Sequence, residues 1–205
     1  MRSIKMVGLA VVAVLAFSAM AAASASAEKF IASAAGLKFT GKSNGTQIFT
    51  DKSGATPIEC TEVKPEGTNA AVETTEEKVN TNYSSCKASI ASATISTAFY
   101  TFLTNGSSMG VNGVSILTTP ITITVAALKC KIVVAAGQTF AGTGEIAYSN
   151  NTASTIEVKS KVTGIASEVT EAGSSLCGKA GEKNTTGTYT GSGELGLQGG
   201  TLQIK

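Results

Sequence analysis

The sequence predicts an all-β fold, an antiparallel β-sandwich-like domain, and three observations predict it. Apolar and polar residues alternate with period two in several runs, which places one face of each run on a core and the other in water. Turn-forming dipeptides separate these runs at short intervals: Asn44-Gly45, Ser53-Gly54, Asn105-Gly106, Asn112-Gly113 and Gly199-Gly200. Threonine, a β-branched residue that suits a pleated surface, occurs 28 times.

Taken in order, the first strand candidates are Leu37–Thr40, Gln47–Thr50 and Pro57–Val63, followed by Ser89–Leu103 and Val111–Leu117. The clearest alternation comes next. Ile121, Ile123 and Val125 share a face opposite Thr122 and Thr124. Leu128, Cys130, Ile132 and Val134 alternate with Lys129, Lys131 and Val133. Gly144–Ser149 is a weaker candidate. In Thr155–Thr163 the set Ile156, Val158, Ser160 and Val162 faces away from Glu157, Lys159 and Lys161. Gly187–Leu197 and Thr201–Ile204 complete the series. Helical spacing is visible only in Ile165–Ala172 and in the stretch just after residue 27.

Residues 1–27 read as a cleavable signal peptide. Arg2 and Lys5 precede the apolar run Met6–Phe17, and small residues lead to Ala25-Ser26-Ala27. The run is short for a membrane span, and no cysteine stands at the cleavage point. The C-terminal stretch shows no sorting or lipid-anchor signal. The sequence therefore predicts a secreted, extracellular protein, residues 28–205, with no membrane span after cleavage. Arg2 and Lys5 account for the whole formal charge of +2, so the exported part is neutral.

Composition excludes several chemistries. There is no His and no Trp, Arg2 is the sole arginine and Asp51 the sole aspartate. That rules out a His-based triad and an imidazole zinc site, and it offers little for a calcium loop. A neutral exported chain carries no electrostatic footprint for nucleic acid. No cofactor and no metal site is predicted.

An even number of cysteines in an exported chain reads as two disulfides. Three pairings of Cys60, Cys86, Cys130 and Cys177 are open; Cys60–Cys86 with Cys130–Cys177 is favoured, since each closes a loop within its own half. Ile58-Glu59-Cys60-Thr61 resembles Leu128-Lys129-Cys130-Lys131, and the surroundings of Cys86 resemble those of Cys177. This suggests a single domain with two weakly related halves, about 28–118 and 119–205.

Candidate catalytic groups are sparse. Glu145 and Glu157, or Glu59 and Glu62, are the nearest approach to the carboxylate pair of a glycosidase, yet both pairs read as charges on wet strand faces. A nucleophile elbow G-x-S-x-G is absent, and Gly191-Ser192-Gly193 needs no catalytic explanation. The cluster Glu73, Glu76 and Glu77, followed by Lys78, reads as a solvated face. Aromatic residues are few: the tyrosines are Tyr83, Tyr100, Tyr148 and Tyr189, and the densest group is Phe99, Tyr100 and Phe102, where alternation sets Phe99 opposite Tyr100. Core packing is the expected use of that group. Asn-x-Ser/Thr sequons stand at Asn44, Asn82, Asn105, Asn150 and Asn184. An outer-membrane barrel is disfavoured by the scarcity of aromatic residues and by lysines on the strands.

Leu128 to Gln138, Ile156 to Ile165, Cys177 and Thr188-Tyr189-Thr190-Gly191 together resemble a group of secreted, cysteine-containing all-β proteins of actinobacteria. That resemblance implies secretion and fold and carries no activity. The resulting expectation is a non-enzymatic secreted module, structural or interacting, at or near the cell surface. Its partner would be a cell-wall or extracellular polymer or another surface protein. The alternative is an extracellular glycan- or small-ligand-binding module; a hydrolase using Glu145 or Glu157 is the third.

Overall fold

The structure is a computed structural model and describes residues 28–52, 56–104, 113–141 and 145–205. The expected signal segment lies outside the described residues, as do Ser53-Gly54, Asn105-Gly106 and Asn112. The strands in chain order are β1 (Phe30–Ala32), β2 (Phe39–Ser43), β3 (Gln47–Thr50), β4 (Ile58–Glu66), β5 (Glu73–Thr74), β6 (Glu76–Ala88), β7 (Ala91–Ile95) and β8 (Ala98–Thr104). There follow β9 (Gly113–Leu117), β10 (Ile121–Val125), β11 (Cys130–Val134), β12 (Thr139–Phe140), β13 (Ile146–Asn150), β14 (Thr155–Ala172), β15 (Lys183–Leu197) and β16 (Leu202–Ile204). Two 3-10 turns, Ala126–Leu128 and Ser175–Cys177, are the only helical pieces among the described residues.

The all-β, antiparallel expectation holds, but the sandwich does not. Eight strands close into a barrel in the order β3-β4-β6-β7-β10-β11-β14-β15, with β15 returning to β3. Every neighbouring pair is antiparallel, and the ring follows chain order, so this is an up-and-down barrel. Alternation in a sequence says which face of a strand is buried. It does not say whether the outermost strands meet. Here β7 pairs with β6 through Cys86↔Ala93 and with β10 through Thr124↔Thr94, which joins the two edges a sandwich would leave open.

Three of these strands also pair outside the ring. The N-terminal part of β6 pairs with β8, which leads on to β9 and β12. The N-terminal part of β14 pairs with β13, and the C-terminal part of β15 pairs with β2. These extensions enclose a second packed region in which Tyr148 meets Phe30 and Phe102 edge-on, with centroids 5.3 and 6.1 Å apart. The small sheet β16-β1-β5 lies beyond, with Phe30 and Leu202 fully buried.

The expected inward sets occupy the interior: Ile121, Ile123 and Val125; Cys130, Ile132 and Val134; Ile156 and Val162 are all buried. Leu128 departs from this, lying in the 3-10 turn with Lys129 left-handed at φ 47°. The outside carries cross-strand and same-strand ion pairs such as Lys87–Glu59 at 3.5 Å, Lys131–Glu171 at 3.7 Å and Lys159–Glu157 at 3.0 Å. A polar outer wall around an apolar interior is the reverse of a lipid-facing barrel. Among the described residues no helix is long and apolar enough to cross a membrane.

Two stretches expected to be helical are strands. The segment after residue 27 forms β1, and Ile165–Ala172 is the second half of β14. Gly164 at φ 74° sits in an irregularity where the β14–β15 register shifts. The bulge moves the inward face from Val162 to Ile165 and breaks the period of two.

Both disulfides follow the favoured pairing, Cys60–Cys86 and Cys130–Cys177, with Cα atoms 4.0 and 5.8 Å apart. Cys60 and Cys86 are direct cross-strand partners in β4 and β6. Cys177 belongs instead to the turn after β14, so the second bridge pins that turn to β11. Ile58, Ala88, Val125, Ile132, Leu176 and Cys177 line one small hollow, which places this turn over one end of the barrel.

Candidate functional site

The interior of the barrel and its extension contains a cavity of about 140 Å³, lined mainly by apolar side chains. Phe49 from β3, Ile58 from β4, Ile123 from β10, Val134 from β11 and Leu117 from β9 contribute to its wall, and Val158 and Val162 contribute from β14. Three tyrosines converge on it from separate strands: Tyr83 of β6, Tyr100 of β8 and Tyr189 of β15.

These hydroxyls form two hydrogen-bonded pairs, Tyr189 with Gln47 and Tyr83 with Tyr100, whose rings meet. Gln47, 4% exposed, donates its side-chain amide to the carbonyls of Gly45 and Ser192 at 3.1 and 2.9 Å. Its Oε1 accepts from the Tyr189 hydroxyl at 2.8 Å. The Tyr83 and Tyr100 hydroxyls stand 3.2 Å apart. Tyr83 meets Tyr189 edge to face, with centroids 6.4 Å apart, and Tyr100 stacks on Phe102 at 5.8 Å. Burial pushes the pKa of all three phenols upward, so each stays neutral. Gly191 makes the arrangement possible: a Cβ there would run into the Gln47 side-chain amide.

The cavity reaches the surface beside Lys42. There β2 pairs with β15 and, among the described residues, makes no ladder with the facing part of β4. Two hydrogen bonds hold β2 beside this stretch, Phe39 N–H donating to the Gly67 carbonyl just past β4 at 3.0 Å and Ser43 Oγ donating to the Thr61 carbonyl at 2.8 Å, and Gly41 packs against Pro65 between them. Lys42, Val63 and Pro65 line the cavity between those ties. Lys42 pairs with Glu194 at 3.6 Å across β2 and β15. Proline has no N–H to offer a neighbouring strand, which suits a wall left unzipped.

The carboxylates named from sequence do not assemble around one bond. Glu157 pairs with Lys159, while Glu145 Oε1 accepts from the Thr163 amide and hydroxyl, both at 3.3 Å. The Glu145 carbonyl accepts from Lys161 N–H, which sets it four residues along β14 from Glu157, about 13 Å. Glu59 pairs with Lys87, and Glu62 accepts from Ser84 Oγ at 2.9 Å. Asp51 is buried and accepts from Asn184 Nδ2 at 3.3 Å. Among the described residues no three potential metal-ligating side chains cluster.

Within the aromatic group the expected split is present: Phe99 is exposed, while Tyr100 and Phe102 line the cavity. Glu77 contradicts its expected solvated position, for it is 1% exposed. The meeting of Tyr83, Tyr189 and Gln47 carries no sequence signal, because they lie on three strands that only ring closure brings together. No protein-family model, no curated protein and no solved structure matches the chain.

Proposed function

We propose that this chain is an exported, non-enzymatic binding protein that holds one small, mainly apolar molecule inside its barrel. The observation that carries this reading is the apolar cavity with three convergent tyrosines and an unzipped wall leading to it. Closed eight-stranded barrels are wide enough to hold one small ligand. A few placed polar groups in an apolar lining are typical of such sites. Two disulfides and a neutral, ion-paired exterior fit an oxidising, extracellular setting.

The volume limits the ligand. A cavity of about 140 Å³ is of the size that accommodates benzene in an engineered protein core. A molecule of roughly seven or eight heavy atoms is worth about −5 to −7 kcal/mol at best, a Kd of about 10–200 µM. Calorimetric titration of the disulfide-intact protein with toluene should give saturable one-to-one binding in that range. Val158→Phe, which fills the cavity from β14, should abolish it without unfolding the barrel. Absence of saturable binding by both toluene and xenon would overturn the reading.

A further inference from the structure

The wall beside Lys42 differs from the rest of the barrel, and one residue of β4 accounts for it. β2 is approached by the chain after β4 as an antiparallel partner. Lys38 bridges Thr68, with Phe39 N–H donating to the Gly67 carbonyl at 3.0 Å and Asn69 N–H donating to the Leu37 carbonyl at 3.1 Å. Carried on in that register, the ladder sets Gly41 opposite Pro65, at a position where the two residues would exchange both backbone hydrogen bonds. Proline has no N–H to give the Gly41 carbonyl. The Pro65 ring packs on Gly41 instead, so closely that a Cβ on Gly41 would stand 2.8 Å from Pro65 Cγ. Beyond that contact the strands are joined through a side chain, Ser43 Oγ donating to the Thr61 carbonyl at 2.8 Å.

Each strand is laddered on its other side, β2 to β15 and β4 to β6. Parting them between Phe39 and Ser43 therefore gives up van der Waals contact and no ladder bond, whereas a passage between two neighbouring strands of the ring would break backbone hydrogen bonds. Lys42, Val63 and Pro65 line the cavity at this seam. A second junction without a ladder among the described residues, between β9 and β13, is filled. Tyr148 is buried there, with its ring against Gly113 and its hydroxyl donating to the Val114 carbonyl at 3.1 Å. One end of the ring is covered by the turn that Cys177 pins to β11.

We propose that the seam between β2 and β4 is the gate through which a ligand reaches the cavity, and that Pro65 keeps it unzipped. This rests on the reading of the barrel as a small-molecule site and adds the route into that site and its control. Pro65→Val keeps an apolar side chain on the wall and supplies the missing N–H. In the disulfide-intact variant, magnetisation exchange between free and bound toluene should give association and dissociation rates each about tenfold lower, the effect of one added backbone hydrogen bond holding the seam shut. The amide that Pro65→Val introduces should be protected from hydrogen exchange. Ser43→Ala removes the side-chain tie without touching the cavity lining. It should raise both rates about fivefold and leave the Kd for toluene as it was.

Native rates in either variant, or an amide at position 65 that exchanges as fast as an exposed one, would overturn the gate. Ser43→Ala decides alone if the Pro65 variant does not fold. Toluene would in those cases still bind, and the barrel would stand as a small-molecule site with another entrance. Loss of saturable toluene and xenon binding by the native protein would remove that reading itself, and the gate with it.

Discussion

Glu77 stands between Glu76 and Lys78 in the sequence, yet it is 1% exposed. Its Oε2 accepts from the Ala70 amide at 3.3 Å, and Oε1 has no hydrogen-bond partner. Burial raises its pKa from 4.5 to about 7, against the smaller opposing effect of the Ala70 hydrogen bond. The native state therefore holds a proton that the unfolded chain releases near pH 4.5. This carboxyl's contribution to stability is fully present below about pH 4.5 and is lost as pH rises to about 7. The difference is up to about 3 kcal/mol. Asp51, raised mainly by burial, acts with the same sign. Denaturant titrations between pH 4 and 8 should show Glu77→Gln gaining on the native protein as pH rises; a constant difference across that range would refute the assignment. Gly191 supplies a second prediction at this scale. Gln47 is buried and held by three hydrogen bonds, so it cannot yield to a new Cβ. Gly191→Ala should cost about 1–3 kcal/mol of stability. Chemical denaturation of the variant against the native protein checks this; an unchanged midpoint would refute it.

The strands differ in how openly the sequence displays them, and β6 and β14 show why. Gln47–Thr50 is a strand with the expected bounds, and the inward sets of β10, β11 and the first half of β14 are those the alternation marks. β6 spans 13 residues, contributes to both the ring and the extension, and was not among the candidates. Its inward series runs Glu77, Val79, Thr81, Tyr83, so polar groups on the core side erase the contrast between faces. β14 was legible only as far as its bulge. Beyond Gly164 the buried Ile165 and Val169 lie four apart, the spacing of a helix turn. The turn after β14 owes its position to Cys177. Replacing both Cys130 and Cys177 by alanine removes a crosslink across 47 residues, worth about 4 kcal/mol in chain entropy. The melting temperature should fall by roughly 10 °C. Peptide mapping without reduction should recover the two pairs Cys60–Cys86 and Cys130–Cys177; any other pairing would contradict the fold.

At the scale of the whole molecule, closure is the decisive event. The first half of the chain supplies β3, β4, β6 and β7 as consecutive staves, and the second half supplies β10, β11, β14 and β15. Cys60 lies on the second stave of its half and Cys130 on the second of the other. Each half alone would present an apolar face and two unpaired edges; joined, they bury the face and pair the edges. The sequence by itself determined the all-β class, most strand positions, the presence of two disulfides and the sides on which side chains stand, while the pairing it favoured among three was decided by the structure. Those properties follow from local periodicity, turn chemistry and cysteine number. Only the tertiary structure decided that the sheet closes on itself, that Glu77 goes inside, and that Tyr83, Tyr100, Tyr189 and Gln47 meet. Those outcomes depend on contacts between residues up to 142 positions apart, and a period of two carries no information about which distant strand becomes a neighbour.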